Sequence, residues 1–405
     1  MNTILESLKK QNIRFEPDLR SFVLKLISTP SPNLKEELCA NLVNETMIHY
    51  GFDKVFIDSF GNVIGIIYGI EKNESILLTS HMDTYPFPLA KDEIKRLFEF
   101  QLIGDKIFGS HKHDSKYSLA AQIFSGLLLK NSGIKLKSNI IVAATVANEN
   151  GICLGLRGFL QKTVKELDLN PLFALIGEPT DLELRHSHDG WVLINIQLSG
   201  PTTNEVGEAA LELINSLENV YSTGSHSAEG KLLSTQNLNM ECHRYRTSAS
   251  IYLLRRLLPN QSVDKVLRDI SNNISLFLIP FPKVSLSVNI LNNNRTLYNG
   301  LTLEVSNQVS AWISDSSNKY YNSILDSLKL AKLEYKPGRL NLSPIGTGSA
   351  GSVLVNEFNI PSFEFGPASN NFNGDQREYM DIDKLLQGVI GNAAIACSIS
   401  KNCND

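Results

Sequence analysis

Cysteine is scarce in the sequence, and long apolar runs are missing. The five cysteines are scattered and none is spaced as C-x-x-C, which argues against a disulfide framework and favours reduced thiols in a cytoplasmic protein. No run approaches the ~20 apolar residues that a membrane span needs, and the charged N-terminus lacks the continuous apolar segment of a signal peptide. A net charge of -4 gives no reason to expect nucleic acid or a membrane surface as a partner.

Apolar segments of two kinds alternate along the 405 residues. Short continuous runs are typical of buried strands, and longer amphipathic stretches are typical of helices. The runs lie at 75–80, 139–146 and 172–177, and helical patterns lie at 118–131 and 384–399. This alternation predicts an α/β fold with a mainly parallel sheet. An earlier helix is predicted to begin at Ser31, as its N-cap, with Pro32 in the first turn.

The middle of the chain follows a different order, which predicts a second domain. Strand patterns at 191–199, 248–258 and 283–291 enclose helical patterns at 205–220 and 263–274. This β-α-β-α-β order fits a small α+β sandwich of the ferredoxin-like kind. We therefore predict a discontinuous main domain, residues 1–189 and 297–405, with a lid domain inserted at 190–296.

Potential metal ligands stand where the predicted strands end or a helix begins. His81 and Asp83 follow one strand, Glu149 and Glu178 follow two others, and Asp114 immediately precedes a helix. Histidine is a good zinc ligand, and a carboxylate two residues away could orient its ring. Each residue alone fits a structural role, such as a core histidine or a helix cap. Together, at one edge of a parallel sheet, they predict an active site.

The motifs "SHMDT" and "GEPT" resemble those of a known family, with "LISTPSPNLKEEL", "GFDKVFIDSFGNVIG" and "FEFGPASNN" in support. The sequence is similar to the zinc-dependent acetylornithine deacetylase, succinyl-diaminopimelate desuccinylase and carboxypeptidase-G family of metallopeptidases. The resemblance runs over nearly the whole chain. It implies a metallopeptidase domain with a lid that forms a homodimer. It also implies two zinc ions with a bridging water, a glutamate as general base, and N-acyl amino acids or small peptides as substrates.

One metal site of that family is intact in this sequence. His81, Asp114 and Glu178 match its three ligands, and Asp83 matches the residue that orients the histidine. Three protein ligands with one open position are also what a single catalytic zinc requires. The resemblance therefore implies one zinc ion at these residues.

The second metal site has lost a ligand. By resemblance it would use Asp114, Glu149 and a histidine near the C-terminus, but that position holds Gly374, and no histidine follows His243. The resemblance thus leaves the second zinc in doubt. His111 and His113 stand beside Asp114 and could replace the missing ligand, although two exposed histidines in a polar loop are the simpler interpretation.

Two other functional positions of the family are changed, and one is kept. The general base falls at Asn148, whose amide cannot accept a proton from water near pH 7. The lid histidine that contacts the substrate carbonyl falls at Asn204. Arg295 matches the arginine that holds the substrate carboxylate, and a solvated loop arginine is the equal alternative. These changes predict that ordinary two-zinc amide hydrolysis has been lost.

Three functions remain open at the level of sequence. The first is a non-hydrolytic enzyme acting on an amino-acid-like or amide-containing small molecule, as in specialised biosynthesis. The second is an atypical deacylase or peptidase that uses one metal and an unusual base. The third is a catalytically inactive protein that binds such a molecule. His188 also draws notice, because it falls where the chain should enter the lid.

Overall fold

A computed structural model describes most of the chain. It covers residues 2–84, 98–109, 114–220, 230–232, 239–243, 246–315, 319–333, 343–369 and 379–400. The side chains of residues 2–4, 114, 149 and 218–246 lie outside the described part.

The helices and strands of these ranges are numbered in chain order. The helices are α1 (Asn2–Ser28), α2 (Glu37–His49), α3 (Asp114–Asn131), α4 (Leu154–Gly158), α5 (Val164–Glu166), α6 (Thr203–Val220), α7 (Val263–Phe277), α8 (Lys319–Leu330), α9 (Gly351–Asn356) and α10 (Ile382–Ser400). The strands are β1 (Lys54–Ile57), β2 (Val63–Ile67), β3 (Glu71–His81), β4 (Gln101–Ile103), β5 (Lys106–Phe108), β6 (Ser138–Thr145), β7 (Asn170–Ile176), β8 (Ser187–His188), β9 (Gly190–Gly200), β10 (Gly230–Leu232), β11 (Asn239–His243), β12 (Arg246–Leu257), β13 (Ser285–Ile290), β14 (Asn292–Thr296), β15 (Thr302–Ser306), β16 (Gln308–Val309), β17 (Trp312–Ile313), β18 (Ser362–Glu364) and β19 (Tyr379–Asp381).

The main sheet has the strand order β1-β2-β6-β3-β7-β18. Strands β6, β3, β7 and β18 run parallel, and β1 and β2 form the antiparallel hairpin at one end. Every residue of β2 and β6 is buried, as expected for strands covered on both faces. The prediction of an α/β fold with a mainly parallel sheet is confirmed.

Helices cover both faces of this sheet. Ile76 and Leu78 of β3 face a core shared with α1, α2, α3 and α10, whereas Leu77 faces a second core that includes Trp312 and α9. Helix α10 is long and apolar enough to cross a membrane by length and composition alone. However, 72% of its most apolar window is buried inside the protein, which is typical of a core helix.

The lid sheet is antiparallel, with the order β10-β12-β9-β13, and β11 also pairs with β12. Its own apolar core lies between the sheet and helices α6 and α7. The predicted β-α-β-α-β order is present, with β10 and β11 added before β12. Strand β9 is central, because it pairs with β12 on one side and β13 on the other. The exact domain boundaries stay a prediction.

The predicted start of the helix after "TPSP" is wrong. Helix α2 begins at Glu37 with Glu36 as its N-cap residue, not at Ser31 and Pro32. The Ser31 hydroxyl instead donates to the Met82 carbonyl at 2.7 Å, and Pro32 forms an isolated parallel bridge with Thr84. The chain at Ser31 and Pro32 is therefore not helical, because it runs beside the end of β3.

Candidate functional site

The carboxyl ends of three parallel strands bring the predicted site residues to one edge of the main sheet. His81, the last residue of β3, is level with Thr145, the last residue of β6, and Thr79 is level with Ile176 at the end of β7. Asp83, Asn148 and Glu178 follow these strands within a few residues. The sheet register therefore brings these residues to one edge. We call His81, Asp83, Asn148 and Glu178 the strand-end group.

Asp83 orients the ring of His81. His81 Nδ1 lies 2.9 Å from the Asp83 carbonyl oxygen and 3.3 Å from the carboxylate Oδ1. Because both contacts use Nδ1, Nε2 is the ring nitrogen that would bind a metal. The Asp83 side chain is fully buried, whereas that of His81 is 13% exposed. This is the arrangement that a ligating histidine and its orienting carboxylate would need.

The Asp83 carboxylate is also held by neighbouring segments. Its Oδ2 accepts from Asn33 Nδ2 at 2.6 Å and from the backbone N–H of Asn148 at 3.0 Å. The Asn148 N–H also lies 3.1 Å from Oδ1. These donors stabilise the negative charge, and they tie the end of β3 to the turn after β6.

That turn has unusual backbone geometry. Ala147, Asn150 and Cys153 have φ values of 51°, 64° and 55°, in the left-handed region that is unfavourable for residues with a Cβ. The turn is held from outside, since Trp191 Nε1 donates to the Asn150 carbonyl at 2.9 Å. Asn62 Oδ1 accepts from the N–H of Val146 at 3.1 Å. Strain fixed by its surroundings in this way often marks a functional turn.

Asn148, which the sequence resemblance aligns with a general base, lies inside this turn. Its side chain is buried, with the whole residue 4% exposed. Its Oδ1 has no hydrogen-bond partner in the described part of the protein. A buried amide oxygen without a partner is costly, so a ligand or water that donates a hydrogen bond would stabilise it.

Glu36 is a site residue that the sequence reasoning missed. Its side chain is buried, and Oε1 accepts from the N–H groups of Leu34 at 2.9 Å and Ala147 at 3.0 Å. Burial, followed by the negative charge of Asp83, raises the pKa of Glu36 to about 8. The available signal was the motif "LKEEL", but an acid at a helix start resembles an ordinary N-terminal residue.

Glu178 follows β7 and is partly buried. Its backbone forms a tight turn, in which the Thr180 N–H donates to the Glu178 carbonyl at 2.9 Å. Burial raises the pKa of the Cys153 thiol, and the negative charges of Glu178 and Asp83 raise it further. Glu178 and Asp83 therefore lie in one electrostatic neighbourhood around the turn after β6.

Part of the predicted metal-ligand set lies outside the described part of the protein. The side chains of Asp114 and Glu149, and all of His111, His113 and Gly374, lie outside the described residues. Among the side chains that are described, no three His, Cys, Asp or Glu are grouped to hold a metal. The backbone does place Asp114 beside His81, because the hydroxyl of Ser115 accepts from the His81 N–H and donates to its carbonyl, both at 3.0 Å.

Arg295 approaches the site from the β14–β15 hairpin. The hairpin tip is anchored to the main domain, since Tyr298 Oη donates to the Gly61 carbonyl at 3.0 Å and Asn299 Nδ2 to the Ser59 carbonyl at 3.0 Å. Arg295 is partly buried, and its Nη2 donates to Asn307 Oδ1 at 3.2 Å. Burial lowers the pKa of Arg295, and the charge of Asp83 partly offsets that effect.

Asn204 lies in the first turn of α6, and its side chain is exposed. Its contact with a substrate carbonyl, which the family resemblance implies, stays a prediction.

Comparisons with known proteins identify the chain's relatives. The model of peptidase family M20/M25/M40 matches residues 77–396. The uncharacterized protein YgeY of Escherichia coli (strain K12) is 26% identical over 200 residues, which are 49% of this chain and 46% of YgeY. Acetylornithine deacetylase of Buchnera aphidicola subsp. Acyrthosiphon pisum (strain APS) is 32% identical over 132 residues, 32% of each chain. The alignments thus span less than half the length of these curated relatives.

Solved structures show the same fold over nearly the whole chain. Aminopeptidase PepT from Bacillus cereus ATCC 10987 has a TM-score of 0.68 at 15% identity, covering 95% of this chain and 99% of PepT. The YXEP protein of Bacillus subtilis, described as a dinuclear metal binding peptidase, has a TM-score of 0.63 at 12% identity, covering 94% of this chain and 98% of YXEP.

Proposed function

Because this chain belongs to peptidase family M20/M25/M40, we propose that it is an enzyme built on a hydrolase scaffold that has lost ordinary two-zinc amide hydrolysis. The family consists of metal-dependent peptidases and deacylases, as the sequence resemblance indicated. In our proposal, the residues at the strand ends bind an amino-acid-like or amide-containing small molecule. The protein converts this molecule by a reaction other than hydrolysis.

The main support for this proposal is the burial and the chemistry of the Asn148 side chain. Its backbone N–H is bound to Asp83 and its side chain is buried in the turn after β6, which supports Asn148 as the residue that occupies the base position. Only the chemistry of the side chain differs, because an amide cannot take a proton from water as a carboxylate does. Loss of a general base typically lowers a rate by about 10²–10⁴-fold.

The proposed zinc ion would be held by the three residues that the family resemblance indicates. His81, oriented by Asp83 through Nδ1, would ligate through Nε2, and Asp114 and Glu178 would complete the set. When bound, a zinc ion would polarise a carbonyl group of the ligand. Arg295 supports an amino-acid-like ligand, because a partly buried guanidinium can bind a carboxylate through two parallel hydrogen bonds.

The test combines metal content with activity. The purified protein, supplied with zinc or cobalt, should bind at most one ion per chain and hydrolyse N-acetyl and N-succinyl amino acids hardly at all. Asn148→Glu together with Gly374→His should restore the base and the second metal, with Asn204→His as a further addition. Asn148→Ala is the matched control that removes the amide without adding a base.

Two other outcomes identify the alternatives. Turnover by the unaltered protein at about 1–10³ s⁻¹, unchanged in Asn148→Ala, would contradict the proposal and indicate a single-metal deacylase or peptidase with Glu149 as the leading base. Tight binding of an amino-acid-like ligand with no conversion of any kind would indicate a binding protein.

Assembly and location complete the proposal. A homodimer through the lid is supported by β13, which lies at the edge of the lid sheet among the described strands and can pair there with a second copy. A cytoplasmic location is supported by Cys39 and Cys153, which are buried thiols outside any disulfide.

A further inference from the structure

A second polar cluster lies where the chain passes from the main domain into the lid, outside the strand-end group. His188 ends β8, Asp189 precedes β9, Arg256 lies near the end of β12, and Ser343 comes from a distant loop. His188 Nε2 lies 3.0 Å from Ser343 Oγ, although the two residues are 155 positions apart. We call these four residues the hinge cluster.

The contacts of His188 fix which ring nitrogen carries the hydrogen. Nδ1 lies 2.7 Å from the Asp189 carbonyl oxygen and 3.2 Å from the Asp189 carboxylate Oδ1, both of which only accept hydrogen bonds. In the neutral ring Nδ1 is therefore the donor and Nε2 the acceptor. The hydroxyl of Ser343 consequently donates to Nε2, which is the orientation that a general base requires.

The surroundings of His188 favour the neutral form of its imidazole ring. Burial lowers the pKa of His188, the carboxylate of Glu364 opposes that effect, and the positive charges of Arg185 and Arg256 add to it. A neutral imidazole can take a proton from a hydroxyl, whereas an imidazolium cannot. The His188 side chain is still 16% exposed, and Ser343 is partly exposed, so both side chains reach solvent.

Asp189 is held rigidly. Its carboxylate is paired with Arg256 Nη1, and the two side chains are 2% and 0% exposed. Arg256 Nη2 also donates to the Ser343 carbonyl at 2.8 Å, and the Ser343 N–H approaches Asp189 Oδ1 at 3.4 Å. Arg256 therefore positions both the aspartate and the backbone that carries the serine.

We propose that Ser343, His188 and Asp189 form a serine acyl-transfer site, with Ser343 as nucleophile, His188 as base and Asp189 as orienting acid. The geometry matches the general signature of an activated nucleophile, in which base and nucleophile are within hydrogen-bond reach and a third group orients the base. The site goes beyond the proposed function and does not depend on Asn148 or on a metal.

The reaction is written for a carboxylic ester. Ser343 Oγ attacks the carbonyl carbon while its proton passes to His188 Nε2. The C–O bond to the alcohol then breaks, and the alcohol leaves with that proton, so the acyl group is held on Ser343 as an ester. Water, deprotonated by His188, attacks the acyl-serine, which releases the carboxylic acid and returns the proton to Ser343.

An ester is a better substrate class than an amide for this site. The Arg256 guanidinium, the nearest cationic donor group, is engaged by the Asp189 carboxylate and the Ser343 carbonyl, which weakens its support for a developing oxyanion. An alcohol is a better leaving group than an amine, so an ester needs less oxyanion stabilisation. The structure thus favours small esters with good leaving groups.

The test is labelling of the full-length protein with a fluorophosphonate probe in the presence of a metal chelator. Attack by Ser343 Oγ forms an O–P bond and expels fluoride, and peptide mass mapping locates the adduct. We expect one adduct, on Ser343. Ser343→Ala should abolish it and His188→Gln should slow it by about 10²-fold or more. Ser310→Ala removes an exposed serine elsewhere in the chain and should leave the labelling unchanged.

Two further measurements, the pH dependence of the labelling rate and the position of the adduct, decide whether Ser343 is the nucleophile. The labelling rate should rise with pH through the lowered pKa of His188, below that of a free histidine, and this dependence should vanish in His188→Gln. An adduct on another residue, or no adduct on the folded wild-type protein under conditions that label a known serine hydrolase, would overturn the proposal. Because the chelator is present throughout, neither result bears on the zinc site.

Discussion

Glu36 and Asp83 place two buried carboxyl groups beside the turn that carries Asn148. Asp83 receives hydrogen bonds from Asn33 and Asn148, whereas Glu36 receives two backbone N–H groups at Oε1 and its Oε2 has no partner in the described part. Two such groups cannot both be charged without cost, so the proton resides on Glu36. Neutral Glu36 then holds Ala147 in its left-handed conformation.

This difference between the two acids predicts a pH dependence of stability. The pKa of Glu36 is about 8 in the folded protein against an ordinary 4.5, so between these values the folded protein keeps a proton that the unfolded chain has released. Rising pH through that window therefore lowers the free energy of unfolding. Glu36→Gln should remove this contribution, so that its stability relative to wild type improves between about pH 5 and about pH 9 by up to a few kcal/mol.

Urea unfolding at the two pH values measures the effect. Glu37→Gln is the matched control, because Glu37 is the next residue and is exposed. If both variants show the same pH dependence as the wild-type protein, the proton is not on Glu36.

Gly177 allows the end of β7 to approach its neighbours closely. A Cβ at this position would overlap Ser80 Oγ and would lie 2.8 Å from Ser118 Cβ. Ser80 Oγ donates to Gln122 Oε1 at 2.9 Å, and Gln122 Nε2 donates to the Leu175 carbonyl at 3.1 Å. Because Gly177 has no side chain, β3, β7 and α3 can pack closely against one another just before Glu178.

Gly177→Ala should therefore destabilise the protein by about 1–3 kcal/mol, since buried neighbours must move to admit the methyl group. It should also weaken the proposed zinc binding, because the added methyl group would displace Glu178. Thermal unfolding and zinc titration measure the two effects. Gly109→Ala is the control, as its added Cβ would meet nothing closer than 3.7 Å among the described residues. Equal stability of the two variants would refute the packing argument.

Many of the helices and strands were predictable, because the local pattern of apolar residues determines them. Continuous apolar runs gave the buried strands β3, β6 and β7, and their parallel register then placed His81 and Asn148 at one edge. The role of Glu36 was not predictable, since its hydrogen bond to Ala147 joins residues 111 positions apart. The same holds for the Ser343–His188 contact. The start of α2 was mispredicted because Ser31 and Pro32 fit a helix cap locally, while their contacts with the end of β3 hold them outside the helix.

A buried ion pair stands at the predicted junction between the two domains, which gives a prediction for the whole molecule. Asp189 directly precedes β9 and Arg256 lies in β12, and both are almost fully buried. Arg256→Met would leave the Asp189 charge buried without its main partner, which typically costs about 3–5 kcal/mol. Arg157→Met, which breaks the half-exposed pair with Glu357, should cost about 1 kcal/mol or less.

Denaturant unfolding of these variants, followed separately in each domain by a placed fluorophore, measures the coupling. Adding Asp189→Leu to Arg256→Met should recover part of the loss, because no buried charge then remains unpaired. A double variant less stable than Arg256→Met would contradict this account.

The edge strand of the lid sheet predicts that the protein forms a homodimer. Light scattering should give twice the mass of one chain, because β13 lies at the edge of the lid sheet among the described strands and can pair with a second copy. Val288→Pro, in the middle of β13, should convert the dimer to a monomer, whereas an equivalent change in β4, Leu102→Pro, should not. A wild-type protein that is monomeric at all concentrations would exclude the lid dimer.

Helix α10 has a consequence for how the chain is made. It covers the main sheet from the far end of the sequence, with the Ser138 N–H donating to Ser400 Oγ at 3.0 Å across 262 positions. At a typical synthesis rate of about 5–20 residues per second, β6 emerges roughly 13–50 s before the helix that covers it. During that interval an apolar sheet face is exposed on the ribosome, so productive folding of this protein should depend on chaperones that shield nascent chains.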